Sequence, residues 1–510
     1  MIGMQLQSLV TTSREVARTR SRKQKIELLA SFLEALDGDD LEIGLAYLVG
    51  EFRQGRIGLG WAMARQAREA ARPREIAELL LSDVDGLFSE IQETTGSGSK
   101  ARRLELLQEL YELATEDERA YLTDLIGGEI RQGAQEAILV EAVAKAANLD
   151  LDTVRRAVMF GGTLREVAGS ALREGTVGLG RFRLTPLRPV RPMLAGAARE
   201  ANEILERYGQ AAFEWKLDGA RIQVHKARGR VRVFTRKLHD VTASVPEIVE
   251  LVSNLPVRDI VLDGEALAFD EHGRPRPFQV TMSRFARKLD VEEQRARIPL
   301  TPVFFDLLHA DGESYVDRGC MERRDALERF VPPTNVVQRL LTIDADEANA
   351  FYAEAIERGY EGLVAKALDA PYEAGRRGMR WLKLKPAHTL DLVVLAAEWG
   401  SGRRRGWLSN LHLGARHGDG FCMLGKTFKG MTDETLREQT QALLSCEARR
   451  EGQVVYVRPE LVVEVAFDGV QESPQYPGGV ALRFARLKRY RDDKSVAEVD
   501  TLDTVRSLRA

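Results

Sequence analysis

Lys216 stands in the run Glu214-Trp215-Lys216-Leu217-Asp218-Gly219-Ala220-Arg221, a lysine among apolar neighbours with carboxylates and an arginine close by. A lysine amine attacks an electrophile only when neutral, and its ordinary pKa of about 10.4 leaves it mostly charged at pH 7. Partial burial and a neighbouring cation lower that value and free the lone pair. Ile222, Val224 and the run Val231-Arg232-Val233-Phe234 alternate in polarity with their neighbours, so a hairpin begins at this motif. Taken alone, a lysine before Asp-Gly reads as a surface side chain in that hairpin. The residues downstream change the reading.

Thr235-Arg236-Lys237 closes the hairpin, and Leu262-Asp263-Gly264-Glu265-Ala266-Leu267 carries two carboxylates where one strand meets another. Phe304-Phe305-Asp306 ends an apolar run, and Tyr360-Glu361-Gly362-Leu363-Val364-Ala365-Lys366 and Trp381-Leu382-Lys383-Leu384-Lys385 complete the series. Alternate residues of a strand share a face, so Lys383 and Lys385 point the same way. Two ammonium groups side by side repel unless an anion lies between them. A triphosphate suits that place, with Glu265 and Glu361 holding a hard divalent metal through oxygen. Each piece also has a bland reading, the Asp-Gly-Glu as a turn and the paired lysines as a solvated edge. Their joint appearance, in order and on strand ends, is specific.

Three regions must position these residues. Residues 1 to about 185 are rich in Ala, Leu, Glu and Arg with helical spacing, as in Ile26, Leu28, Leu29, Phe32, Leu33 and Leu36. A faint duplication runs through them. Ser21 to Leu29 resembles Ser99 to Leu107, Gly50 to Gly55 resembles Gly128 to Gly133, and both pairs share one offset, which implies two related helical lobes. The Arg-Gln-Gly turns and the basic clusters before the helices form a layout able to contact phosphates. Pro186, Pro189 and Pro192 then end any helix and mark a linker. An α/β body follows, with strands at 231–235, 260–262, 303–307 and 362–366. After Lys385-Pro386 come strands at 392–397, 411–415, 454–457 and 461–467 with one helix near 434–444, the pattern of a small barrel such as an OB-fold.

The bulk properties set limits. A chain of 510 residues exceeds one core, and 44% hydrophobic with 30% charged residues is the composition of a globular protein. The net charge of −3 supplies no global basic field, so a polyanion would have to meet a local patch such as Arg403-Arg404-Arg405. Cys320, Cys422 and Cys446 lie far apart, forming neither a disulfide framework nor, with the seven histidines, a zinc spacing. No apolar leader or long apolar run is present, which predicts a cytoplasmic protein without a membrane segment.

The motif series around Lys216, Thr235, Asp263, Phe304, Tyr360 and Trp381 resembles that of covalent nucleotidyltransferases. Within them it is most similar to ATP-dependent DNA ligases of the archaeal-like and bacterial ligase B types. Arg483-Phe484-Ala485-Arg486 followed by Arg491-Asp492-Asp493-Lys494 resembles the family's last motif, and Pro192-Met193-Leu194-Ala195 its usual entry to the catalytic body. The likeness spans the whole chain. It implies a multidomain α+β fold: an all-helical DNA-binding domain of two lobes (1–185), an α/β nucleotidyltransferase or adenylation domain (191–386) and a C-terminal OB-fold β-barrel (387–510).

Carried over to this chain, the resemblance implies that Lys216 attacks the α-phosphorus of ATP and becomes adenylated. Glu214 would contact the adenine edge and Phe305 stack on its ring. Arg221, Arg236 and Glu265 would surround the ribose and phosphates, with Arg377 a further nucleotide contact. Lys383 and Lys385 would hold the α-phosphate, Glu265 and Glu361 the Mg²⁺ or Mn²⁺, and Arg483 and Arg486 the leaving pyrophosphate. AMP would then pass to the 5′-phosphate of a nick in double-stranded DNA, where the 3′-hydroxyl displaces it. That sequence needs a hinged barrel, with Pro386 to Leu390 as the hinge. Ala485 departs from the proline of many relatives. The resemblance implies a monomer, nucleoid-associated in a prokaryote, and leaves open a sliding clamp or repair protein as partner and a role in replication, recombination or repair. An RNA ligase or capping-type guanylyltransferase shares the lysine motif, but the helical region and the Arg-x-x-Arg tail favour a DNA ligase. An NAD⁺-dependent enzyme would carry a cysteine-rich zinc element, and a decayed nick-binding protein would lack some of these charged residues.

Overall fold

A computed structural model of the chain describes residues 3–130, 136–161, 163–285, 290–373, 377–386 and 388–508, with the backbone alone at 377 and 378. The helical region runs from Leu6–Arg18 to Leu164–Leu179 around one apolar core. Its helix starts are set by local chemistry. Ser21 accepts from the Gln24 N–H before Arg22–Glu34, and Thr115 and Glu118 form a capping box before Glu116–Gly127. The stretches that resemble one another lie in matching places. Arg22–Glu34 and Ser99–Leu113 are helices, and Gly50 and Gly128 both take left-handed angles just past a helix.

The turn after Gly50 faces inward. Arg53 pairs with Asp85, and the Gln54 side chain donates to the Asp85 carbonyl and to Ser89 Oγ. That turn ties two helices together, so the phosphate-contacting layout fails there. Its counterpart at Arg131-Gln132-Gly133 lies outside the described residues.

The helical region joins the body through Met159 and Phe160, which pack with Val190, Met193, Val261, Leu308 and Trp381. The proline-rich linker is pinned to the body. Val190 N–H donates to Gln223 Oε1 (2.8 Å), and Leu187 N–H donates to His225 Nδ1 (3.0 Å). An Nδ1 that accepts carries no proton, and burial pushes the His225 imidazole down to about 3.

The body is built from two five-stranded sheets. The first has the order Leu194–Ala197, Arg377–Leu384, Gly362–Ala367, Ala211–Lys216, Arg339–Thr342. The second has Arg230–Thr235, Ala220–Ala227, Ile260–Ala268, Leu300–Ala310, Glu313–Ser314. Lys216 ends a strand of the first sheet and Ala220 begins one of the second, so Leu217, Asp218 and Gly219 cross the seam between them. Gly219 is required there, because a Cβ would lie 2.3 Å from the Ala266 carbonyl oxygen.

The C-terminal region is a strand-rich domain with a half-barrel. His388–Trp399 is its shared strand, pairing with Leu408–His417 on one side and with Val454–Val457 and Val462–Phe467 on the other. The helix Asp433–Ser445, capped by Thr432, packs against Leu408–His417 and Val454–Val457. A second helix, Leu502–Ser507, buries Leu502 and Val505 in the same core and was not expected from the sequence. Of the expected hinge, Ala387 lies outside the described residues, while His388 already belongs to the barrel and stacks on Phe467.

Candidate active site

Trp215 packs against Tyr360 on one face of its strand (ring centroids 4.8 Å apart), which turns Glu214 and Lys216 to the opposite face. Lys216 Nζ donates to Glu361 Oε2, and the Glu361 N–H bonds the Lys216 carbonyl oxygen at 2.9 Å. Lys216 lies opposite Gly362, whose φ of 136° suits glycine and whose Cβ would sit 2.3 Å from the Leu384 carbonyl oxygen. Lys385 Nζ reaches Glu361 Oε1 at 3.1 Å. Burial works to raise the Glu361 carboxyl, but the two lysines outweigh it and hold it below the usual range.

Lys383 projects into the same place with no hydrogen-bond or ion-pair partner among the described residues. Burial, then the neighbouring Lys385 and Lys216, push its ammonium down. Glu265 is likewise without such a partner. Burial pushes its carboxyl up to about 8, against the pull of Lys216 and Arg221. Burial and the nearby Glu361 also raise Asp218, against Arg483 and Lys216. The seam therefore gathers three lysines with three carboxylates whose charges are unevenly matched, a site prepared for an anion and a cation together.

Beneath it lies a buried ionic layer. Lys366 Nζ bonds Glu214 Oε2 and the Phe305 carbonyl oxygen, both at 2.7 Å, and Arg324 approaches Glu214 Oε1 at 3.5 Å. Arg323 grips Asp306 with two hydrogen bonds of 2.7 and 3.1 Å. Arg221 does the same to Asp263, which also accepts from the Tyr372 hydroxyl at 2.6 Å. The Phe305 ring sits between cations, with Arg221 at 5.4 Å and Lys366 at 5.2 Å from its centroid. Both Glu214 oxygens are thus engaged from inside the protein.

The barrel reaches the seam. Arg483 Nη1 lies 3.6 Å from Asp218 Oδ2 and stacks over Phe278. Arg486 Nη1 lies 3.0 Å from Asp468 Oδ1, and Asp468 Oδ2 bonds Lys385. Lys216, Glu265, Glu361, Lys383, Lys385, Arg483 and Arg486 are therefore brought to one region, with Arg221 and Phe305 beside it. Arg236 is not among them. It is exposed and lines a cleft of about 640 Å³ between the helical region and the body, with Arg165, Arg191 and Lys237. Arg377 begins a strand, but its side chain lies outside the described residues.

Two residues escaped the sequence reading. The sequence reading gave no role to Asp468, which follows the strand Val462–Phe467, or to Lys366, which ends the Tyr360 motif. Arg491 and Lys494 pair with Asp391 inside the barrel, so the second half of the last motif holds that domain together. In the basic run, Arg403 pairs with Asp433 and Arg404 donates to the Phe428 carbonyl.

A lysine on the seam of two sheets thus meets cations of the body and arginines of the C-terminal domain. Family models for the ATP dependent DNA ligase domain, the ATP dependent DNA ligase C terminal region and the DNA ligase N terminus match residues 192–385, 404–494 and 61–144. A probable DNA ligase of Anaeromyxobacter sp. (strain Fw109-5) is 56% identical over 99% of this chain and 98% of its own length. One of Sorangium cellulosum (strain So ce56) is 52% identical over 99% and 96%. The solved structure Pmar-Lig_PreS3 shares the fold, with a TM-score of 0.63 at 18% identity over 95% of this chain and 99% of that one. The chain belongs to the ATP-dependent DNA ligases, the enzymes that seal nicks by joining a 3′-hydroxyl to a 5′-phosphate. No helix among the described residues is long and apolar enough to cross a membrane.

Proposed function

We propose that Lys216 is the residue that carries AMP in this ligase, and that the seam around it is the self-adenylation site. Lys216 Nζ would attack the α-phosphorus of ATP, forming a nitrogen–phosphorus bond as the bond to the leaving pyrophosphate breaks. The observation that carries this reading is the meeting of Lys216 with Lys383, on strands of one sheet, and with Lys385 just past the end of the second strand, Lys383 having no ion-pair partner among the described residues. Fixed cations stabilise the charge that spreads over the phosphoryl oxygens during attack. Before attack Lys216 must give up a proton and its ion pair with Glu361. Phe305 and Arg221 would hold the base and ribose, with Glu214 and Arg377 as further nucleotide contacts and Arg236 reserved for DNA-side phosphates in its cleft.

Arg483 and Arg486, carried in by the barrel, would steady the pyrophosphate as it leaves. The later steps need DNA where those arginines stand, so the barrel would swing away about the chain between the strand Arg377–Leu384 and the strand His388–Trp399. The residues also fit a divalent metal. Glu265 has no hydrogen-bond or ion-pair partner among the described residues, Glu361 is an oxygen donor nearby, and Mg²⁺ is commonly held by one or two carboxylates plus substrate phosphates. Bound there, Mg²⁺ or Mn²⁺ would neutralise phosphate charge.

The domain boundaries we propose are 1–185, 191–386 and 387–510, with the enzyme a cytoplasmic monomer acting on nicked duplex DNA. Incubation with α-labelled ATP and Mg²⁺ tests the central role. Covalent label should appear on the wild-type protein and vanish in Lys216→Ala, and persistence of label in that variant refutes the assignment.

A further inference from the structure

Asp468 belongs to the barrel, yet its carboxylate lies in the pocket of the body. It stands between the strands Val462–Phe467 and Gly469–Glu472, and its N–H donates to the Arg483 carbonyl oxygen at 2.9 Å. One carboxylate oxygen bonds Lys385 and the other lies 3.0 Å from Arg486. Asp468 and Arg483 are thus one backbone unit. The contact of Asp468 with Lys385 and the contact of Arg483 with Asp218 must form and break together.

The charges around this contact are unbalanced. Lys385 is held by two carboxylates, Glu361 and Asp468, whereas Lys383 beside it has no partner among the described residues. An incoming polyphosphate that takes both lysines meets the Asp468 carboxylate, and like charges at that range repel. The same carboxylate occupies Arg486, a cation of the barrel that the phosphate also needs. A protein carboxylate in this place imitates the oxygens of a phosphate.

We propose that Asp468 is a positioning residue that docks the barrel onto the Lys216 pocket before nucleotide binds, and that it gives up Lys385 and Arg486 to the triphosphate. This rests on the reading of Lys383 and Lys385 as phosphate ligands. Docking ahead of the nucleotide would bring Arg483 to the seam in advance, at the cost of weaker nucleotide binding.

The test uses the full chain with fluorophores on the body and the barrel, comparing wild type, Asp468→Asn and Asp468→Glu. Without nucleotide, Asp468→Asn should lengthen the distance between labels, and Asp468→Glu should keep it. In self-adenylation, Asp468→Asn should lower the KM for ATP by about fivefold, the upper range for a partly exposed ion pair, with a smaller change in kcat. An unchanged nucleotide-free distance in Asp468→Asn, or a raised KM, overturns the proposal. Lys383→Ala separates the two ideas, because an unchanged KM for ATP in that variant overturns the phosphate reading itself.

Discussion

Replacing Arg483 by alanine separates the first chemical step from the last. Arg483 Nη1 is 3.6 Å from Asp218 Oδ2, and the two side chains are 27% and 36% exposed. A pair so placed contributes about 1 kcal/mol or less to docking of the barrel. If the same guanidinium also faces the departing pyrophosphate, its loss removes a fixed cation from the transition state. Losing one preorganised electrostatic partner costs about 3 kcal/mol, or roughly a hundredfold in rate. Self-adenylation of Arg483→Ala, followed by rapid quench under saturating α-labelled ATP, should therefore slow by about two orders of magnitude. Sealing of a nick that already carries AMP, measured without ATP, should change by less than about fivefold. Equal losses in both assays would refute the argument, since the barrel arginine would then serve every step or merely hold the fold.

Other perturbations probe the frame. Lys366→Met leaves Glu214 buried with Arg324 as its remaining ion-pair partner at 3.5 Å, so it should lower the stability of the body by about 3–5 kcal/mol in urea unfolding. The double variant Lys366→Met with Glu214→Leu should recover most of that loss. His225 has a value of about 3 in the folded protein against 6.5 ordinarily, so between those pH values the unfolded chain binds a proton that the native one does not. Stability should accordingly fall as pH drops from about 6.5 toward 3, by at most about 1.4 kcal/mol per unit from this group, and His225→Gln should flatten that slope in unfolding measured at pH 7 and pH 5. Gly219→Ala places a Cβ 2.3 Å from a backbone oxygen, and the forced shift of the seam should cost about 1–3 kcal/mol and depress self-adenylation in the labelling assay.

The sequence disclosed those parts of the site that depend on local rules. Period-two alternation foretold that Lys383 and Lys385 share a face, and the apolar runs around Val231, Ile260 and Val303 marked strands whose pairing could follow. The crossing at Leu217–Gly219 was visible only as the start of a hairpin, because nothing local says that the two strands it joins belong to different sheets. Contacts between domains left still less trace. Asp468 reads as an ordinary Asp-Gly until the barrel is set against Lys385. Arg53 looked free for phosphate until Asp85, on another helix, claimed it. Arg236 followed its motif in sequence, but the hairpin end carries it toward the helical region. Long-range ionic pairing, which decided each of these, has no periodicity for a sequence reading to detect.

The most direct measurement is mass spectrometry of the protein after incubation with ATP and Mg²⁺, followed by peptide mapping. One AMP should be found on the peptide containing Lys216, bound through nitrogen and absent from Lys216→Ala. AMP on another residue, or none on an enzyme that still seals nicks, would contradict the account.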